Sequence, residues 1–366
     1  MSRASKHIYH PHGAADTFQT VEDALDTLDT TLDAAALVTT TATFASNLSI
    51  ANSVGSSALT ISIKDAAGND PSATSPVVVP FRNVTSSSSI NTSLSVTAAT
   101  SLVISSGSTL GTTNGAAFKL WIVGFNDGGT FRLGVINCVS GINICRLSHM
   151  AIASSTAEGG AGAADSAQVF YTGTAVTSKA YTILGYLIFE SGQATAGTWA
   201  ATATLAQIAS QTTRLPGAVV QIVQTFTGAV ATGTTTVPSD DTIPQNTEGN
   251  EYMSQAVTPV SAADLLIVEA FSAAHTNSAT GRLTGALFQD TGADAIAVSA
   301  NPVETIGRPY SLYLATCELA ATTSSTTFKF RMGLNGAGTT TFNGSASARL
   351  YGGTVSSFMK ITELSA

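Results

Sequence analysis

The composition of this chain and the spacing of its apolar residues change at about residue 40, and this change limits the folds that the chain can adopt. After it, Thr, Ser, Ala and Gly predominate, and short apolar runs of strand length recur to the end. The pattern predicts a short helix followed by a long β region. Before residue 40, apolar residues recur at alternating spacings of three and four among acidic residues: Phe18, Val21, Leu25, Leu28 and Leu32.

The apolar spacing predicts an amphipathic helix from about Phe18 to Ala36, whose first turn Asp16 or Thr17 can cap. The five apolar residues fit the core positions of a heptad repeat. One helix alone leaves such a stripe uncovered, so a coiled coil with partner helices is expected. A second interpretation is a helix packed on its own β domain. The heptad residues do not distinguish a dimer from a trimer.

The segment before this helix contains His7, His10 and His12. Three histidines at this spacing can bind a transition metal, particularly if several chains bring their copies together. The favoured interpretation is a flexible terminus that docks into a neighbouring protein, so no metal or other cofactor is predicted. The same segment has no apolar run of the kind found in a signal peptide.

Composition limits the classes of protein to consider. A chain of 366 residues exceeds one hydrophobic core, so two or three domains are expected. Its net charge of −8 argues against a nucleic-acid binder, which must neutralise phosphates. Hydrophobic residues make up 44% of the chain, which argues against disorder, and no apolar stretch is long enough to span a bilayer. Only 10% of residues are charged, so Thr, Ser and Asn must supply the polar surface.

Short strands dominate the region after residue 40. Leu59, Ile61 and Ile63 alternate with polar residues, as in a half-buried strand. Two apolar runs at 119–125 and 130–136 flank the sequence Asn-Asp-Gly-Gly, which is the signature of a β-hairpin. Frequent strands without helical periods between them favour sandwiches or barrels.

Three regions are predicted: 1–40 as an attachment tail and helix, 41–227 as β-rich modules, and 235–366 as a last domain. Pro216-Gly217 and the polar run 228–239 mark the boundary before the last domain. About eight strands in that domain are typical of a jelly roll or a similar sandwich. The predicted strands include 252–257, 265–271, 282–289, 311–318, 326–334 and 356–364.

No enzyme is predicted. Glycoside hydrolysis needs two carboxylates at a set separation, and near pairs do occur in the sequence. They lie in turn-rich stretches, where acidic residues are common for solubility and turn geometry. The pairs are Asp240 and Asp241, Glu248 and Glu251, and Asp290 and Asp294.

The three cysteines do not form a disulfide framework. Cys138 and Cys145 are seven residues apart in a predicted strand-turn-strand, so a bridge between them is possible. The favoured interpretation is that they are small buried apolar side chains, and Cys317 is given no role.

Several segments of the chain are similar to those of a known family. They resemble a C-terminal domain of tailed-bacteriophage tail fibres and related virion proteins. The resemblance implies a β-rich, homotrimeric virion appendage, made in the host cytoplasm and carried on the phage tail. The segments are Thr242–Gly249, Gly285–Asp290, Thr323–Phe328, Phe342–Gly344 and Ser356–Phe358, with Trp121–Val135 and Ala194–Trp199 in the middle.

The resemblance implies an all-β fold in which a trimeric coiled coil precedes β-sandwich modules and a jelly-roll-like distal domain. The expected partners are other virion proteins at the N-terminus and a host receptor, either a glycan or an outer-membrane component. The alternatives are a capsid fibre or decoration protein, a tail-tip structural protein and, less favoured, a polysaccharide depolymerase.

Receptor contacts are expected on exposed loops of the distal domain, because binding residues concentrate on loops that a rigid scaffold holds. The candidate loops are 271–280 and 335–343. The candidate residues in them are His275, Asn277, Asn335 and Asn343.

Overall fold

A computed structural model of the chain describes residues 42–83, 91–278 and 280–366. This part of the chain is all-β, as predicted, and contains no helix that is long and apolar enough to cross a membrane. The predicted coiled coil and histidine segment lie outside the described residues. They comprise His7, His10, His12, Phe18, Val21, Leu25, Leu28 and Leu32.

The described residues of the first domain form fourteen strands. They are β1 (Ser49–Gly55), β2 (Ala58–Lys64), β3 (Val77–Arg82), β4 (Asn91–Val96), β5 (Thr100–Ile104), β6 (Phe118–Asp127), β7 (Thr130–Asn137), β8 (Val139–Ser140), β9 (Asn143–Ile144), β10 (Met150–Ala153), β11 (Thr156–Ala157), β12 (Tyr171–Thr172), β13 (Lys179–Phe189) and β14 (Leu205–Ile208).

The centre of the first domain is a seven-stranded sheet in the order β10-β13-β6-β7-β12-β11, with β14 also paired to β13. Its central strand β6 is buried on both faces. Leu120 and Ile122 point into the core shared with the sheet β1-β2-β5, whereas Trp121 and Val123 point into a second cluster on the opposite face. Burial on both faces explains why this segment is continuously apolar.

The predicted strand at residue 59 and the predicted hairpin are both confirmed. Leu59, Ile61 and Ile63 are buried in β2, at most 1% exposed. β6 and β7 pair antiparallel through a two-residue turn at Gly128 and Gly129. The φ angles of these glycines are 62° and 93°, and two consecutive positive φ angles are required by a type I′ turn, which matches the twist of the strands.

In the second domain, the part of the chain that the structure describes forms twelve strands and one short 3₁₀ helix. They are β15 (Val219–Thr227), β16 (Ala231–Gly233), β17 (Asn250–Val257), β18 (Leu265–Thr276), β19 (Arg282–Gln289), β20 (Ala297–Pro302), β21 (Tyr310–Leu319), β22 (Thr326–Leu334), β23 (Thr340–Phe342), β24 (Gly344–Ser345), β25 (Ala348–Arg349), the 3₁₀ helix Tyr351–Gly353 and β26 (Ser357–Leu364).

Two sheets share the core of the second domain. The larger sheet has the order β15-β26-β18-β23-β16, with β21 on the other side of β18, and the smaller has the order β17-β22-β19-β20. Phe328, Phe330 and Met332 of β22 are fully buried and meet Leu266 and Ile361 of the larger sheet in one cluster. Their alternation with polar residues is the half-buried pattern that the sequence shows.

The domain boundary lies earlier than the sequence interpretation placed it. β15 falls within the predicted middle region 41–227, yet it pairs along its length with β26 of the second domain. The Pro216-Gly217 signal therefore marks the boundary, and the polar run 228–239 lies inside the second domain. No residue of β15 is fully buried, and its local sequence does not show that its partner is the distant strand β26.

Candidate functional site

A row of aromatic side chains crosses the outward face of the larger sheet in the second domain. Phe226, Phe358, Phe271 and Tyr313 are directly opposite one another on β15, β26, β18 and β21. Ring centroids of Phe226 and Phe358 are 5.7 Å apart, and those of Phe271 and Phe358 are 5.9 Å apart. Phe226 is 62% exposed and Tyr313 is 53% exposed. We call these four residues the aromatic row.

The charges beside the aromatic row are paired within the same face. Lys360 Nζ lies 2.5 Å from Glu269 Oε2, and the Tyr313 hydroxyl donates to Glu269 Oε1 at 2.7 Å. The hydrogen bond from Lys360, followed by that from Tyr313, lowers the pKa of Glu269. Beyond this pair, Ile222 is 56% exposed. The face is therefore apolar, with its central charges already neutralised.

Such a face is typical of a surface that another molecule covers. Contiguous exposed apolar patches mark interaction sites, and interface cores are enriched in aromatic residues. The sequence of the predicted strand 265–271 already indicates that this face is covered, although the strand prediction did not use that indication. From Leu265 to Ala270 the chain is apolar on both faces except for Glu269, a pattern typical of a sheet covered on both sides.

A buried ion pair joins the two domains. Lys119 Nζ in β6 lies 3.2 Å from Asp264 Oδ1, and the two side chains are 6% and 2% exposed. The same ammonium donates to Ser365 Oγ at 3.1 Å and lies over the rings of Trp121 and Tyr186, 5.8 Å and 5.2 Å from their centroids. Each charge thus has close partners, which a buried ion pair requires.

Further hydrogen bonds between the domains surround the ion pair. Trp121 Nε1 donates to the carbonyl oxygen of Ala366 at 3.1 Å. Glu190 accepts from the backbone N–H of Ala262 at 2.8 Å and from the Ser261 hydroxyl at 3.2 Å. These contacts fix β6 against the last residue of the chain, and the residue that follows β13 against the segment that precedes β18.

Glu363 is a second acidic side chain buried near this contact. It is 0% exposed, and its carboxylate accepts hydrogen bonds from the Val260 backbone N–H and from Gln221 Nε2. Burial raises the pKa of Glu363, the hydrogen bonds from Gln221 and Val260 oppose this shift, and the neighbouring Asp264 carboxyl raises it further. The folded protein therefore holds the Glu363 proton more tightly than the unfolded chain does.

This shift predicts a pH dependence that Glu363→Gln removes. Because the folded protein binds the Glu363 proton more tightly, its stabilising contribution is complete below the unfolded pKa and is lost as pH rises through the folded pKa. Urea unfolding from about pH 4 to 7 should show the stability of the Gln variant rising relative to the native protein. Glu304→Gln, at an exposed side chain, is the control. Parallel stability curves for native protein and Glu363→Gln would contradict the assignment.

The structure corrects the location of His275, which is in strand β18 rather than in an exposed loop. It is 7% exposed, its Nδ1 has no hydrogen-bond partner among the described residues, and burial lowers its pKa. Asn277 follows that strand, and its side-chain oxygen accepts from the backbone N–H of Thr339. The Asn277 side chain therefore holds the end of β18 against the segment before β23.

Asn343 is also buried, and the expectation that it is exposed is wrong. Its side chain is 0% exposed, donates to the carbonyl oxygen of Thr227 at 2.7 Å and accepts from Ser357 Oγ at 2.6 Å. Asn335 is exposed, and its Oδ1 accepts from the backbone N–H of Arg282. Its partners Thr227 and Ser357 are 116 and 14 positions away in the chain, so the residues next to Asn343 do not reveal that β15 and β26 enclose it.

Five of the six carboxylates considered for hydrolysis take part in turn and cross-strand contacts. Asp240 accepts from the hydroxyl of Thr242, and Asp240 and Asp241 line an open cleft of about 520 Å³. The remaining contacts are Glu248 with the Gln245 backbone N–H, Glu251 with Arg331, Asp290 with Thr326 and Thr327, and Asp294 with Gln245.

The three cysteines are free thiols. Cys138 and Cys145 lie next to each other across the β8–β9 hairpin, where the Cys145 backbone N–H donates to the Cys138 carbonyl oxygen at 2.7 Å. Cys138 is buried within the cluster around Trp121, and burial strongly raises its pKa. The protonated, unreactive form of this thiol is therefore favoured.

Comparison with known proteins finds no matching family model and no matching curated protein. Among solved structures, Eiger TNF from S. frugiperda is 10% identical, over 39% of this chain and 93% of that chain, with a TM-score of 0.22. Infectious bursal disease virus, Gx strain, is 9% identical over 68% and 60%, with a TM-score of 0.22. A Bacillus thuringiensis Cry1Da tryptic core variant is 9% identical over 88% and 52%, with a TM-score of 0.21. Similarity this weak carries no argument about the fold or function of this chain.

Proposed function

We propose that this chain is a structural protein that self-associates through the aromatic row, and that the assembly is a homotrimeric bacteriophage tail fibre that attaches to the host cell surface. The exposed aromatic row is the observation that supports self-association. The resemblance of the sequence to tail-fibre segments supports the location on a virion tail and the contact with a host receptor.

A second copy of the chain fits the face better than a charged partner does. Lys360 and Glu269 already neutralise each other, so the face offers no unpaired charge for a partner of opposite sign. The rings of Phe226 and Tyr313 lie at the two sides of the row, where the same rings of another copy can pack against them. Aromatic pairs of this kind contribute beyond the area that they bury.

In this proposal, the second domain is the jelly-roll-like distal part of the fibre. Residues 1–40 carry a trimeric coiled coil and bind other virion proteins. The distal loops bind a glycan or an outer-membrane component of the host.

The self-association is tested by replacing the central ring of the row. Phe358→Glu places a charge between two aromatic neighbours, and loss of an interface hot spot weakens association by about 2 kcal/mol or more, roughly thirtyfold. Sedimentation velocity of the full chain should show a trimer for the native protein and dissociation for the variant.

Val298→Glu is the matched control, because Val298 is 48% exposed on β20 of the other sheet. The control variant should remain a trimer. A native protein that stays monomeric at micromolar concentration, or a Phe358→Glu variant of unchanged mass, would overturn self-association through this face.

The virion assignment has its own test. Gold-labelled antibody raised against the full chain should decorate the tail in micrographs of phage particles that contain it. Label on the capsid would replace the tail-fibre assignment with a capsid fibre, while leaving the self-association result unaffected.

A further inference from the structure

A cleft of about 840 Å³ lies where the first domain meets the linker to the second. One wall is the segment between β9 and β10, from Arg146 to His149. The other is the linker between β14 and β15, from Thr213 to Pro216, together with Ala218. A volume of this size is within the range of small-molecule sites, and such sites commonly lie where domains join.

The wall that contains His149 is fixed by the first domain. His149 Nε2 lies 2.6 Å from the carbonyl oxygen of Thr43, and its ring lies 4.5 Å from that of Phe44. The carbonyl oxygen of His149 also accepts from the backbone N–H of Ile183, and Leu147 is 5% exposed. This wall is therefore held in place without a ligand.

The linker wall is fixed by two consecutive turns. The backbone N–H of Ser210 donates to Thr213 Oγ1 at 2.7 Å, and that of Ala218 donates to the carbonyl oxygen of Leu215 at 3.0 Å. The Gly217 backbone N–H donates to the carbonyl oxygen of Ser365 at 2.8 Å. A preformed cleft of this kind lowers the ordering cost of binding.

The cleft concentrates positive charge in an acidic protein. Arg146 and Arg214 both line it, and both are exposed. Neither has an ion-pair partner in the described part of the chain. Among the other described basic side chains, Arg82, Arg282, Lys329 and Arg349 also lack an acidic partner, but they do not line this cleft. No Asp or Glu is among the described residues that line the cleft.

Unpaired guanidinium groups in a cleft indicate an oxyanion ligand. Each guanidinium offers a planar fork of N–H donors that matches a carboxylate, sulfate or phosphate group. The cleft is much larger than one such group, so the ligand also has an uncharged part. Ser148 and Thr213 line the same space, and their hydroxyls can form hydrogen bonds with hydroxyls on that uncharged part.

We propose that this arginine cleft binds an acidic saccharide, with Arg146 and Arg214 holding its carboxylate or ester oxygens and Ser148 and Thr213 contacting its hydroxyls. The site is complete within one chain. It therefore does not depend on self-association through the aromatic row or on the assignment to a virion.

The proposal is tested by calorimetry on the full chain with three probes: sialyllactose, a sulfated heparin-derived disaccharide and inorganic phosphate. At least one saccharide should bind, and Arg146→Gln with Arg214→Gln should weaken it about a hundredfold, since each charge-assisted contact is worth about tenfold. Arg146→Lys with Arg214→Lys keeps the charge but loses the fork, so an intermediate affinity is expected. Near-ultraviolet circular dichroism checks that each variant is folded.

Arg282→Gln with Arg349→Gln is the matched control, since it removes two exposed arginines of the second domain that do not line the cleft. This control should bind as the native protein does. Absence of binding by both saccharides, equal affinity in the cleft variant, or phosphate bound as tightly as either saccharide would overturn the proposal.

Discussion

Lys119→Met is expected to lower the free energy of unfolding at neutral pH by about 3–5 kcal/mol, because it leaves the Asp264 carboxylate buried without its cation. Met keeps most of the side-chain volume, so the loss reports charge rather than a cavity. The lost contact joins the two domains, and the variant should therefore unfold in two separated steps. Urea unfolding followed by tryptophan fluorescence and by far-ultraviolet circular dichroism measures both effects.

Two further variants distinguish the effect of losing this buried ion pair from the effect of removing any charge. Lys64→Met breaks a pair with Asp70 whose side chains are 25% and 56% exposed, and should cost at most about 1 kcal/mol. Lys119→Met with Asp264→Asn removes both charges, and the Asn oxygen can still accept from the Ala366 backbone N–H, as Asp264 does at 3.1 Å. The double variant should recover most of the loss. A Lys119→Met variant as stable as Lys64→Met would refute the role of the ion pair.

Phe330→Ala is expected to cost about 3–5 kcal/mol, because it opens a cavity in the core that the two sheets share. Phe330 is 0% exposed and lies opposite Met253 and Leu287 on the neighbouring strands. A cavity there removes contacts from both sheets at once. Thermal and urea unfolding of the purified Phe330→Ala variant measure the loss in the free energy of unfolding.

A substitution at Gly285 tests whether the cavity left by Phe330→Ala can be filled. A Cβ on Gly285 would lie 2.9 Å from the Phe330 ring and 3.0 Å from Leu312, so Gly285→Ala alone should destabilise by about 1–3 kcal/mol. With Phe330→Ala the added methyl enters the vacated space, and the double variant should lose less than the sum of the two single variants. If the loss of the double variant equals the sum of the two single losses, the Phe330 ring does not contact a side chain at position 285.

Much of the secondary structure could be predicted from local sequence. The strands predicted at 282–289 and 326–334 coincide with β19 and β22. β22 alternates with the period of a pleated strand, whereas β19 is a short run that is buried on both faces. The β6–β7 hairpin was predictable because Gly128 and Gly129 supply the positive φ angles that its turn needs. These features depend on residues that are close together in the chain.

The candidate sites depend on residues that are far apart in the chain. Lys119 and Asp264 are 145 positions apart, and neither has a neighbour in sequence that identifies its partner. The aromatic row takes one ring from each of four strands, so it exists only through the register in which β15, β26, β18 and β21 pair. His275 and Asn343 were predicted in loops because binding residues concentrate on loops that a rigid scaffold holds. The strand predicted to end at residue 271 instead continues to Thr276, and both side chains are buried.

By itself, the sequence determined the all-β class of the described region, the positions of most strands and the tight turn between β6 and β7. The spacing of apolar residues before residue 40 predicts a helical segment that precedes the strands. Tertiary structure alone decided that β15 belongs to the second domain, that a buried ion pair joins the domains, and that an aromatic row and an arginine cleft remain at the surface. The reason is physical: alternation and turn residues act over a few positions, whereas strand pairing and burial depend on which distant segments come together.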